Sequence, residues 1–139
     1  MSSEEKRSWI YVVVGVGVAA VYFVAVLSKV PGADVGGIVY ARPMIVAIGA
    51  GIGLGIVAGI AAAIASPREA DRVDERDRQI HRLGGHVGFY VMSVAAIVPL
   101  VLAMARAPHF WIANSLYLAF VLATLVSSIA KIVSYRRGF

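Results

Sequence analysis

Side chains that could take part in chemistry are concentrated in one stretch, residues 71–86, with the sequence DRVDERDRQIHRLGGH. Asp74, Asp77 and His81 follow one another at spacings of three and four residues, so a helix would project all three from one face. Carboxylate and imidazole groups bind divalent metals, and His86 or a second subunit would complete the ligand shell. The alternative, which we favour because no ligand motif fits the spacing, is an exposed helix whose arginines neutralise the acids.

The same segment alternates in charge, which suits recognition of a protein partner. Five acidic residues lie between Glu69 and Asp77, and five arginines lie between Arg68 and Arg82. Arginines near an anionic membrane surface contribute about 1 kcal/mol each, but the interleaved acids weaken that attraction to lipid headgroups. Complementary charge gives specificity more readily than affinity. We therefore predict a partner-binding set in the middle of the segment: Asp74, Glu75, Arg76, Asp77 and Arg78.

No combination of residues in the sequence supports catalysis. Serine and histidine occur, but no nucleophile, general base and orienting acid can be assigned to one place. No glycine-rich phosphate loop follows a strand, no two histidines share a span as haem ligands would, and the chain has no cysteine. We predict a non-enzymatic protein with no catalytic residues and no cofactor.

The rest of the chain is apolar enough to require a lipid environment. Hydrophobic residues make up 60% of the 139 residues and charged residues 15%, with a mean hydropathy of +0.81, so a globular surface could not be solvated. Four uncharged runs approach the roughly 20 residues that a helix needs to cross a bilayer. The predicted spans are about 9–28, 44–65, 87–105 and 110–130. The expected fold is an all-α integral membrane four-helix bundle in a single domain, residues 1–139.

The charged segment carries helix signals of its own. Ser66 can serve as the N-cap, with Pro67 at the first helical position. Gly84 and Gly85 supply the conformational freedom that is typical of a helix end. We therefore expect a charged cytoplasmic helix over residues 67–83, between the second and third spans.

The distribution of basic residues predicts the orientation in the membrane. The amino terminus, the second connection and the carboxyl tail hold ten of the 13 Lys and Arg residues, and the other connections hold only Lys29, Arg42 and Arg106. Cytoplasmic connections carry the excess of Lys and Arg. We expect a multi-pass protein of the cytoplasmic membrane with both termini in the cytoplasm. The net charge of +5 is then explained by basic residues that face anionic lipid on the cytoplasmic side of the membrane. No direct contact with nucleic acid is expected.

Two features inside the spans concern helix packing. Gly51, Gly55 and Gly59 recur every fourth residue and form a row on which another helix can approach closely. We expect this row to serve internal packing first, with a homodimer interface as the alternative.

Pro99 removes a backbone donor from the third span, so a kink is expected there. No ionisable residue lies deep in a span, where proton-coupled transport normally requires one.

The stretch VDERDRQI, followed by a short linker and an apolar span, resembles a family of small prokaryotic integral membrane proteins with an Asp-Glu-Arg-Asp connection. Members of that family have four predicted spans and no established activity, and many are encoded beside a small helix-turn-helix repressor. The resemblance implies a membrane partner or modulator of a cytoplasmic regulator, with the motif as the contact surface. It covers the charged connection and the layout of the spans, and it singles out Asp74, Glu75, Arg76, Asp77 and Ile80.

Three hypotheses for function follow from the sequence. In the leading one, the charged helix docks a cytoplasmic protein, either a regulator or a larger membrane complex. The second is a small dimeric transporter or channel that uses the kink at Pro99 and the glycine rows of the second span, where Gly49 and Gly53 form a second row beside the first. The third is a metal- or lipid-binding sensor built on Asp74, Asp77 and His81.

Overall fold

The computed structural model describes residues 3–32, 34–65, 67 and 74–138, except for the side chains of Ser3 and Val35. This part of the chain is helical and contains no strand. Two short 3-10 turns, Val30–Gly32 and Val35–Gly37, lie between the first two helices. The α-helices are α1 (Ser3–Leu27), α2 (Ala41–Ala65), α3 (Glu75–Ala95), α4 (Ile97–Met104) and α5 (His109–Arg137).

Four helical segments are long and apolar enough to cross a membrane, namely α1, α2, α3 together with α4, and α5. Large apolar side chains cover the outside of these helices, and Val21, Ile64 and Met104 are 72%, 74% and 77% exposed. A lipid solvent accommodates such a surface, whereas water does not. The prediction of an all-helical chain with four apolar helices is confirmed.

Helix α5 is the central element of the packing. It contacts α1, α3 and α4, while α2 packs mainly on α1. Among the described residues, the main contacts therefore run in series from α3 and α4 through α5 and α1 to α2. Helices α3 and α5 are antiparallel, because Asp77 meets Tyr135 near one end and Gly88 meets Ser127 further along. The short connection between α4 and α5 requires this arrangement.

The beginning of the charged helix differs from the prediction over residues 67–83. Ser66 and residues 68–73 lie outside the described residues. Helix α3 begins at Glu75 with Asp74 as its N-cap, and the Asp74 carboxylate accepts the Glu75 N–H at 2.7 Å. Asp77 completes a capping box, since its Oδ2 accepts the Asp74 N–H at 3.3 Å.

The predicted end of the charged helix at Gly84-Gly85 is wrong. Helix α3 continues through both glycines to Ala95, so residues 75–86 of the charged segment and the first half of the third span form one helix. A glycine inside a helix costs about 1 kcal/mol relative to alanine. Gly84 is buried where α3 packs against α5, and this packing stabilises the helical conformation through the pair.

The third span is interrupted at Ala96, which separates α3 from α4. Pro99, for which we expected a kink, is buried in α4 three residues after this interruption. Proline has no N–H to donate to the carbonyl of Ala95, so the regular hydrogen-bonding pattern cannot continue across it. The Ala96 carbonyl accepts the Leu100 N–H at 3.3 Å, which restarts the helix beyond the interruption.

Helix α4 ends in a Schellman motif with an arginine in the left-handed position. Arg106 has φ 55, and its N–H donates to the carbonyl of Ala103 at 3.1 Å. The Ala107 N–H donates to the carbonyl of Leu102 at 2.9 Å. These two bonds satisfy carbonyls that a helix end would otherwise leave open.

A buried aromatic cluster lies near the carboxyl end of α1 and the amino end of α5. Inside it, the Tyr22 hydroxyl donates to Asn114 Oδ1 at 2.6 Å, and Asn114 Nδ2 donates to the carbonyl of Phe110 at 2.8 Å. The polar groups are thus paired where no water can reach them. The buried members of the cluster are Tyr22, Val26, Ile38, Ala47, Phe110 and Tyr117.

Candidate functional site at the charged end

The first turns of α1, the first turns of α3 and the last turns of α5 meet at one end of the molecule, which we call the charged end. Arg136 of α5 joins α5 to α1, because its Nε lies 3.5 Å from Glu5 Oε1 and its guanidinium lies 5.5 Å from the ring centroid of Trp9. A cation over an indole face is favourable beyond the ion pair itself. Specific side-chain contacts therefore hold the helices together at the charged end.

Two residues of the Asp-Glu-Arg-Asp motif hold α3 against α5. Asp77 Oδ1 accepts the Tyr135 hydroxyl at 2.8 Å, while Asp77 Oδ2 belongs to the capping box. Arg76 Nη2 donates to the carbonyl of Tyr135 at 3.3 Å, close to the end of α5 where cations are favoured. Ile80, one turn further along, is fully buried. This side of α3 is structural.

The opposite side of α3 presents charge to solvent, and we call it the outer face, consisting of Glu75, Arg78, Gln79 and Arg82. All four side chains are exposed and, at these spacings, share one side of the helix. Arg78 Nη1 lies 3.7 Å from Glu75 Oε2, with side chains 63% and 65% exposed. Of the predicted partner-binding residues, Glu75 and Arg78 point outward, and Asp77 and Arg76 contact α5.

The structure does not assemble Asp74, Asp77 and His81 into a ligand set. Within residues 3–32, 34–65, 67 and 74–138, no group of three or more His, Asp or Glu side chains is placed to hold a metal ion. Both oxygens of Asp77 already accept hydrogen bonds within the protein. His86 Nδ1 lies 2.9 Å from the carbonyl of Arg82, one turn earlier in the same helix.

Two glycines that bring α3 close to α5 were missed as packing residues. A Cβ added to Gly84 would lie 2.5 Å from Lys131 Cε, and one added to Gly88 would lie 3.1 Å from Ser127 Cβ and 3.3 Å from the carbonyl of Ala123. The signal was present in the sequence, because Gly84 and Gly88 are four residues apart, the spacing of closely packed membrane helices. We missed this spacing because we interpreted Gly84 as a helix end.

The glycine row in α2 has only one internal contact among the described residues. A Cβ added to Gly55 would lie 3.3 Å from Cε1 of Tyr11, whereas Gly51 and Gly59 have open space around them. Gly51 and Gly55 instead line an apolar groove of about 580 Å³ between α1, α2 and α5. We expected all three glycines of this row to serve internal packing first. In the structure, only Gly55 has an internal contact.

The described side chains at the charged end offer recognition by charge. No family model, curated protein or solved structure matches the chain. The resemblance carried by the stretch VDERDRQI therefore stays a prediction. The functional argument rests on the contacts within this chain.

Proposed function

We propose that this chain is a non-enzymatic, multi-pass protein of the cytoplasmic membrane that docks a cytoplasmic protein partner, a regulator or a larger membrane complex, on the outer face of α3. The observation that carries the proposal is the division of the first turns of α3 into two sides. Arg76, Asp77 and Ile80 lie on the side that attaches α3 to the other helices, and the charges of the outer face make no hydrogen bond or ion pair with another helix in the described part of the chain.

The attachment to α5 supports docking because it fixes the outer face before a partner arrives. A preorganised surface loses less conformational freedom on binding than a flexible connection does. The exposed Glu75–Arg78 pair contributes at most about 1 kcal/mol to folding, so it is free to exchange its partners. A partner with acidic and basic groups in the complementary order would be selected by charge.

The position of the charged end supports the proposed orientation. It gathers Arg7, Arg76, Lys131 and Arg136 near one another on three helices. A concentration of cations on one side of the apolar helices is typical of the cytoplasmic side. This concentration supports the proposal that both termini and the outer face lie in the cytoplasm.

Photocrosslinking in the native host tests the docking proposal. A photoreactive amino acid replaces Gln79, which is exposed in the middle of the outer face. We expect a discrete adduct with one cytoplasmic or membrane protein. The double substitution Glu75→Lys, Arg78→Glu exchanges the charges while keeping the net charge, and we expect it to abolish the adduct without changing insertion or thermal stability.

The matched control places the photoreactive group at Val101, an exposed apolar residue of α4, from which the same adduct is not expected. An adduct that survives the charge exchange would contradict recognition by the outer face. Loss of insertion or of thermal stability in the exchanged variant would show that the outer face is structural. An adduct with a second copy of the chain would replace the cytoplasmic partner with a homodimer.

A further inference from the structure

Two depressions on the apolar surface join into one groove, which we call the α1–α2 groove. The first, of about 580 Å³, lies between α1, α2 and α5, and the second, of about 560 Å³, continues between α1 and α2 toward the charged end. Tyr11, Gly55 and Ile56 line both depressions and so mark the point where they meet. The groove opens sideways, on the surface that faces lipid.

The groove is long enough to hold an acyl chain. Along α1 its wall extends from Val18 to Arg7, which is about 16 Å at a rise of 1.5 Å per residue, and along α2 it extends from Ala47 to Ile64, which is about 26 Å. A hydrocarbon core is about 30 Å thick, so the groove is at least as long as one leaflet. It therefore runs from the charged end to at least the middle of the membrane.

A cation stands at the end of the groove where a lipid headgroup would lie. Arg7 lines this end, and its Nη1 lies 3.4 Å from Glu4 Oε1 in a partly exposed pair. Arg7 makes no other hydrogen bond within the described residues, and a guanidinium has five N–H donors in a geometry that suits phosphate. One turn deeper, the Tyr11 hydroxyl also has no hydrogen-bond partner in the described part of the chain.

The same contacts argue against a second copy of the chain as the occupant. Close approach of two helices is favoured where small residues at a spacing of four are open to the neighbouring helix. The Tyr11 ring covers Gly55 in the middle of the row, so Gly51 and Gly59 are open only on either side of it. A helix with its side chains is about 10 Å wide, so the Tyr11 ring prevents it from lying against both Gly51 and Gly59. A thin, flexible hydrocarbon chain can pass beside the Tyr11 ring.

We propose that the α1–α2 groove binds a phospholipid of the adjoining leaflet, with an acyl chain along Gly51 and Val18 and the anionic phosphate on Arg7. The apolar walls supply burial of the chain, and the guanidinium supplies selectivity for a headgroup with net negative charge. This site is separate from the outer face of α3, so it does not depend on the docking proposal.

A matched pair of glycine substitutions tests the position of the acyl chain. Gly51 lines the groove and Gly53 does not, and an added Cβ meets no atom within 4 Å at either position. Gly51→Leu and Gly53→Leu therefore add the same apolar side chain to the same helix, with open space at Cβ in both cases. By native mass spectrometry in mild detergent, we expect Gly51→Leu to weaken binding of phosphatidylglycerol by about tenfold and Gly53→Leu to leave it unchanged.

A second pair of substitutions tests the headgroup contact. Phosphatidylcholine with the same acyl chains serves as the zwitterionic comparison. We expect Arg7→Gln to remove the preference for phosphatidylglycerol over phosphatidylcholine, and Arg7→Lys to retain most of it, because the positive charge remains. Inorganic phosphate at millimolar concentration should not displace the lipid, since the acyl chain supplies most of the affinity.

Three results would overturn the proposal. One is equal lipid binding by the Gly51→Leu and Gly53→Leu proteins when both have the wild-type thermal stability. Another is displacement of the lipid by inorganic phosphate alone, which would make the site a free-anion site. The third is a detergent-solubilised dimer, measured by light scattering, that Gly51→Leu alone converts to a monomer, because a second copy would then cover the groove.

Discussion

Asp77 shows how a carboxylate on a charged segment becomes part of the fold. One of its oxygens accepts the Tyr135 hydroxyl at 2.8 Å and the other accepts the Asp74 N–H at 3.3 Å. The side chain therefore stabilises both the first turn of α3 and its contact with α5. The surface that is left for a partner is narrower than the motif itself and is carried by residues such as Glu75 and Arg78.

Tyr135→Phe should destabilise the protein by about 1 kcal/mol, because the partly buried Asp77 oxygen loses its donor. Thermal unfolding in detergent measures the change. Tyr90→Phe is the matched control, since Tyr90 is 65% exposed and its hydroxyl has no hydrogen-bond partner in the described part of the chain. Equal effects of the two substitutions would show that the Tyr135–Asp77 bond contributes nothing to stability.

The packing of α3 on α5 depends on small residues at the contact. Gly88→Leu should lower stability by roughly 1 to 3 kcal/mol, because even a Cβ at this position would lie 3.1 Å from Ser127 Cβ and 3.3 Å from a backbone carbonyl. Gly85→Leu, in the same helix and with open space around it, should be neutral or slightly stabilising. Chemical denaturation of both variants tests the prediction, and a comparable loss at Gly85 would contradict it.

The turn between α4 and α5 contains a strained residue that substitution can relieve. Arg106 adopts φ 55, which costs an L-residue roughly 1 kcal/mol and costs glycine nothing. We expect Arg106→Gly to raise stability by up to about 1 kcal/mol relative to Arg106→Ala, which removes the same side chain and keeps the strain. A melting temperature that is no higher for the glycine variant than for the alanine variant would refute this explanation.

The orientation of the whole molecule can be measured directly because the chain has no cysteine. Single substitutions Gln79→Cys, Arg137→Cys and Lys29→Cys each place one thiol at an exposed position. With a maleimide that does not cross the membrane, we expect Lys29→Cys to be labelled while the cytoplasmic membrane is intact, and the other two only after it is opened. The reverse pattern would place the charged end outside and remove the basis for a cytoplasmic partner.

How much could be predicted from the sequence depended on whether a feature was local. The four apolar helices were predictable, because length and hydropathy alone decide whether a segment suits a bilayer. The burial of Ile80 was predictable as well, because helical periodicity places it opposite Glu75, Arg78 and Arg82. The end of the charged helix was not, since Gly84-Gly85 is a stop signal only when no neighbouring helix packs against it.

The amino-acid sequence by itself determined that this chain is helical and apolar enough for four spans, because those properties follow from composition and from periodicity along one segment. The tertiary structure alone decided which glycines serve packing, which charges of the motif face α5 and where an apolar groove remains. These depend on contacts between segments distant in sequence, since a glycine or a carboxylate acquires its role only from what lies against it.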